Sequence, residues 1–99
     1  MKLWKELEVG LGCGSKFRVT AHMIMNHRDT FTKYALVKAT GLKTATVKKQ
    51  LESLLDLDWI KKYPFEPVVY QANLNNEVVK HIREFLQKLK PIRRYQNAR

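Results

Sequence analysis

Residues 32 to 63, TKYALVKATGLKTATVKKQLESLLDLDWIKKY, carry two short apolar runs on either side of one glycine, Gly41. Before it, Tyr34, Ala35, Leu36, Val37 and Ala39 read as a short helix. Thr32 has the side chain an N-cap needs, and Phe31, one residue earlier, is placed to staple onto an apolar residue one turn inside. The helix must stop at Gly41, because glycine is the residue best suited to the left-handed turn that follows a helix. Lys43 and Thr44 restart the chain, with Thr44 as the expected N-cap of a second helix. Val47, Leu51, Leu54 and Leu55 form its inward face, and Asp56, Leu57 and Asp58 close it.

Working outward toward the N-terminus, Leu3, Trp4, Leu7 and Leu11 recur at helical spacing. They predict a short helix over residues 2 to 9, interrupted by Gly10, Gly12 and Gly14. Ser15 is placed to cap a further helix through about residue 27, largely buried by Phe17, Val19, Ala21, Met23, Ile24 and Met25. In the other direction, residues 59 to 63 and 68 to 74 are rich in aromatic and β-branched side chains, and Pro64 and Pro67 bracket the link between them. These segments predict a hairpin over 59 to 74. Asn76 then caps a last helix over 76 to 90, on which Val78, Ile82, Phe85, Leu89 and Ile92 form a heptad-like stripe. Pro91 is expected to end it, leaving a basic tail over 91 to 99.

Ninety-nine residues allow one domain with one modest core, and a hydrophobic fraction of 44% is ordinary for a folded chain. Charge is the outlier. Lys and Arg number 19 against nine Asp and Glu, a formal net charge of +10 and a pI near 10.0, which calls for an anionic partner such as nucleic acid or a membrane surface. No run approaches the roughly 18 apolar residues of a membrane span, and MKLWKELE is too acidic for a secretory signal. The expectation is an intracellular protein, cytoplasmic and associated with the nucleoid, with no membrane partner. Its single cysteine, Cys13, reads as a small hydrophobe, since it has no internal partner for a disulfide.

The order helix, helix, turn, helix, hairpin, helix resembles a winged helix-turn-helix domain of the α+β class. The resemblance is carried by Gly41 at the turn, Leu36 five residues before it, Leu42 after it, Val47, Leu51 and Leu54 on the second helix, and Trp59 and Ile60 where the wing starts. It covers most of the chain, with the helix-turn-helix at 32 to 57. It is most similar to the small winged-helix regulators of archaea and their viruses, and more distantly to the MarR and ArsR types. It implies a DNA-binding transcriptional regulator. Three positions depart from the family pattern: Val37 stands where a small residue is usual at the helix crossing, and Asp58 where glycine often follows the second helix. The wing tip, Tyr63 to Pro67, lacks both glycine and basic residues.

Placing Val47, Leu51 and Leu54 inward turns Ala45, Lys48, Lys49 and Glu52 outward at 100° per residue. The major groove of B-DNA admits an α-helix, and recognition helices touch bases mainly near their N-terminus. Thr44 and Lys48 are therefore candidates for base contact, Ala45 for a thymine methyl, and Lys43 and Lys49 for phosphates, with Thr46 and Lys33 beside them. Lys61 and Lys62 alternate across a strand, so at most one should face a docked duplex. Arg93 and Arg94 in the tail suit phosphate contact or simple solubility equally. The stripe Val78, Ile82, Phe85 and Leu89, with Val79 and Leu86 beside it, is wider than one small domain readily covers, and Leu3, Trp4 and Leu7 are placed to join it. The chain is accordingly expected to be a homodimer. The three histidines are too scattered for a metal site, and no nucleophile, phosphate loop or paired carboxylates stand out, so neither metal, cofactor nor catalysis is expected. A winged helix used only for protein interaction or assembly is the competing reading.

Overall fold

The computed structural model describes residues 3–12 and 14–97, with side chains over 5–12 and 14–89; Cys13 and the side chains of Leu3, Trp4, Arg93 and Arg94 lie outside the described residues. The most buried element is α2 (Gly14–Met25), whose Val19, Thr20, Ala21, Met23 and Ile24 leave it little polar face. It can only be central, and the other helices pack around it. Preceding it, α1 (Leu3–Leu11) runs through Gly10, the expected interruption, and stops at Gly12, which has φ 68° and whose N–H donates to the Glu8 carbonyl at 3.0 Å. A helical glycine costs only about 1 kcal/mol against alanine, and the apolar spacing outweighs that. Ser15 is likewise not the cap of α2 but part of its first turn, and its Oγ accepts a hydrogen bond from Gln50 Nε2 at 3.3 Å. An ion pair joins the two helices: Arg18 Nε donates to Glu8 Oε1 at 2.7 Å, with Glu8 only 7% exposed. The guanidinium holds the Glu8 carboxyl below its usual range despite the opposing effect of burial, and Lys5 adds to the pull.

After α2 comes α3 (Lys33–Thr40), opened by Thr32, whose Oγ1 accepts from the Ala35 N–H at 3.0 Å. Gly41 closes it at φ 72°, its N–H donating to the Val37 carbonyl at 3.0 Å. Three residues on, α4 (Thr44–Asp56) begins one position earlier than expected: the extended N-cap residue is Lys43, not Thr44. The turn itself fixes this register, since Thr40 Oγ1 accepts from the Leu42 N–H at 3.3 Å and leaves Lys43 as the last extended residue. At the far end Asp58 has φ 61°, its N–H donates to the Leu55 carbonyl and the Trp59 N–H to the Leu54 carbonyl, both at 3.0 Å. That pair of bonds is a Schellman closure, with Asp58 in the left-handed position that glycine more often fills.

Strands β1 (Ile60–Tyr63) and β2 (Val69–Ala72) form the antiparallel hairpin, with Ile60 opposite Ala72 and Lys62 opposite Tyr70. Phe31 joins it as a one-residue third strand: its N–H donates to the Tyr70 carbonyl at 2.8 Å, and the Tyr70 N–H donates back at 2.7 Å. The Phe31 ring tilts onto His22 of α2, with centroids 5.1 Å apart.

The final helix, α5 (Glu77–Asn97), is capped by Asn76, whose Oδ1 accepts from the N–H groups of Val78 and Val79 at 2.9 and 3.3 Å. It does not end at Pro91. A proline inside a helix costs about 3 kcal/mol but does not forbid continuation, and good helix formers flank this one, so most of the expected tail is helical. The apolar stripe of α5 divides. Val79 and Leu86 are fully buried in the core, Ile82 packs against it, and Val78 and Phe85 stand about half exposed. The described residues form a small α+β fold of five helices and one hairpin, its core drawn from Val19, Met23, Ile24, Leu36, Val47, Leu51, Leu54, Ile60, Val79 and Leu86. Among the described residues no helix is long and apolar enough to cross a membrane.

Candidate nucleic-acid interface

Burial of Val47, Leu51 and Leu54 fixes the rotation of α4 and leaves Ala45, Lys48, Lys49, Glu52 and Asp56 exposed along its outer face. The stripe is polarised. Lys43, Lys48 and Lys49 cluster at the N-terminal half and the two acids occupy the C-terminal half, so the outward positive potential adds to that of the helix dipole. Thr44 and Ala45 are exposed at the leading end, Thr46 is half-buried, and the N-cap Lys43 makes no side-chain capping bond. No aromatic or aliphatic side chain larger than alanine interrupts the exposed stripe until Leu57, just past the helix end.

Neighbouring helices carry further cations. Lys33 opens α3 and is half-buried; Lys38, a turn later, lies over the exposed Tyr34 ring with Nζ 5.2 Å from its centroid. Lys16 of α2 donates from Nζ to Ser53 Oγ at 2.7 Å, which sets a further positive charge against the flank of α4. Lys16 does not stand out in the sequence, because it is an ordinary surface lysine on its own helix and only tertiary packing brings it alongside α4.

In the hairpin Lys61 and Lys62 are both exposed, but alternation puts them on opposite faces. Lys62 shares the face of Ile60, which is buried against the helices; Lys61 shares the outer face with Tyr63 and, across the register, Gln71. The tip beyond them carries the exposed Glu66 and no basic residue, with Phe65 62% exposed and stacked on Tyr63 at 5.7 Å between centroids.

The outer face of the hairpin forms one wall of an open groove of about 400 Å³ lined by His27, Arg28, Lys61, Tyr63, Gln71, Asn73 and Asn75 among others. Tyr63 Oη donates to Gln71 Oε1 at 3.3 Å, and Gln71 Nε2 donates to the His27 carbonyl at 3.0 Å. Burial holds the His27 imidazole below its usual range, and the nearby positive charges of Arg83 and Arg28 push it the same way. Nothing in the sequence marks this groove, whose residues come from the end of α2, both strands and the connection to α5.

On α5, Val78 and Phe85 present the exposed part of the expected dimer stripe, while Leu86 is 1% exposed and belongs to the protomer's own core; Leu7 packs against that core from α1. Among the described residues no group of three or more His, Cys, Asp or Glu side chains stands together as a metal site would require. No family model matches the chain, and neither a curated protein nor a solved structure does.

Proposed function

We propose that the chain is a winged helix-turn-helix protein that binds double-stranded DNA sequence-specifically, as a homodimer inside the cell at the nucleoid, and regulates transcription. The reading rests on one observation: the exposed stripe of α4 is cationic at its leading half and carries no apolar anchor there. A face built to dock on protein would expose aromatic or aliphatic side chains at its centre, whereas lysines and threonines at a helix N-terminus suit a phosphate-lined groove.

In this reading α4 lies in the major groove. Thr44 and Lys48 approach base edges, Ala45 meets a thymine methyl, and Lys43, Lys49 and Lys33 hold phosphates, with Lys16 and Lys38 at the margins. Of the two hairpin lysines, Lys62 is the one on the helix side. Val78 and Phe85 on α5 supply the contact between protomers. Arg93 and Arg94, on the final turns of α5, are offered to phosphates in the same reading.

The alternative, an interaction or assembly module, draws on a different surface: the exposed Phe65 at the hairpin tip, stacked on the half-buried Tyr63. Selection of bound sequences from a pool of random duplex DNA separates the two. Enrichment of a defined motif supports the regulator. Recovery of an unenriched pool, or of no DNA at physiological salt, overturns specific readout.

A further inference from the structure

The groove on the outer face of the hairpin lies on the side of the strands opposite Ile60 and Lys62, so the nucleic-acid reading of α4 leaves it unused. Three features set it apart from an ordinary surface hollow. Its charge comes from separate segments that converge. Arg28 follows α2 and Lys61 lies in β1; both line the groove, and Arg83 of α5 lies close enough to His27 to act on it electrostatically. No Asp or Glu lines it, the nearest in sequence being Asp29, which lines the adjoining hollow. Neither Arg28 nor Lys61 forms an ion pair among the described residues, and the Nε of Arg83 is buried without a hydrogen-bond partner there.

The second feature is a fixed polar wall. The chain of hydrogen bonds from Tyr63 through Gln71 to the His27 carbonyl orients the Gln71 amide, and Asn73, 5% exposed, is held by its Nδ2 bond to the Asp58 carbonyl at 3.0 Å. Side chains held in this way lose little freedom when a ligand arrives. The third is size, since about 400 Å³ falls within the range of small-molecule sites and can take a single ring with a charged substituent.

We propose that this groove binds a small organic oxyanion, a phosphate monoester or a carboxylate borne on a body of about one ring, held by Arg28 and Lys61 against the Tyr63–Gln71 wall. Guanidinium and ammonium groups bind both oxyanions through charge-assisted hydrogen bonds. The site is independent of what α4 binds, so its occupancy is read without DNA and a duplex enters the test only as a competitor.

The full chain, labelled for proton–nitrogen correlation spectra, is titrated at constant ionic strength with phenyl phosphate, with benzoate and with phenol. The expected result is saturable shifts of the Arg28, Lys61, Gln71 and Asn75 amides with one or both anions and none with phenol. The arm that saturates at lower concentration identifies the preferred headgroup. Arg28→Ala and Lys61→Ala, both at exposed positions, should each weaken binding about tenfold or more, while Lys80→Ala, which removes an equal charge outside the groove, on α5, should not. Shifts that never saturate, or that chloride reproduces, reduce the groove to its ion atmosphere and overturn the proposal. Equal binding of phenol overturns the oxyanion chemistry. A short duplex that displaces phenyl phosphate from these same amides makes the groove part of a nucleic-acid surface instead.

Discussion

Replacing glycine by alanine should act in opposite directions at two positions of this chain. Gly41 sits at φ 72° with open space around a would-be Cβ, so Gly41→Ala meets no clash but carries the left-handed penalty of about 1 kcal/mol. Gly10 lies within α1, also in open space, and Gly10→Ala should stabilise by about 0.5–1 kcal/mol. Thermal midpoints should therefore separate in opposite senses from the parent, by about 4–8 °C per kcal/mol for a domain of this size. The Glu8–Arg18 pair predicts a pH dependence. Because the folded carboxyl titrates below its ordinary value of 4.5, its contribution is present above that pH and is lost as the pH falls through the lower, folded value. Urea midpoints of the parent and of Glu8→Gln, compared at pH 7 and pH 3, should show the parent losing more stability on acidification. Equal losses would mean that the pair does not couple folding to protonation.

Among the elements, α5 carries the assembly prediction. Val78 and Phe85 are about half exposed, so Val78→Ser with Phe85→Ser should leave the core intact while removing the apolar part of the face. Light scattering should return about twice the 11.7 kDa chain mass for the parent and the single-chain mass for the double variant. A parent of single-chain mass at micromolar concentration contradicts the dimer. The elements also divide by how well the sequence announces them. Thr32, Gly41, Asp58 and Asn76 are legible because a cap or a left-handed turn is a local demand met by a few side chains. Val47, Leu51 and Leu54 are legible because burial follows the helical period. The third strand at Phe31 is not, since a single residue has no period and its partner, Tyr70, is 39 positions away. Nor is the passage of α5 through Pro91, where flanking propensity outweighs a local breaker. The stripe of α5 misleads in its own way: the heptad spacing is visible, but only packing against α2 determines that Leu86 goes inward and Phe85 stays out.

For the molecule as a whole, a net charge of +10 guarantees some attraction to any polyanion, so binding to DNA at low salt does not distinguish a reading helix from a coated surface. The candidate site was legible where it rests on α4, and illegible where Lys16 and the outer groove are brought in by tertiary packing. The central claim is that the leading half of α4 enters the groove, with Lys49 on phosphate and Lys48 on a base. The most direct test measures the affinity of the parent and of Lys48→Ala with Lys49→Ala for a selected duplex and for its single-base variants, across a salt series. Both lysines are exposed and make no ion pair among the described residues, so the fold should be unaffected. The double variant should lower the slope of log affinity against log salt by about 0.9 for each phosphate that is no longer neutralised, and its discrimination at one base position should fall by about 1–3 kcal/mol. A double variant that binds as the parent does at matched salt, with the same slope and the same preference, would contradict the account.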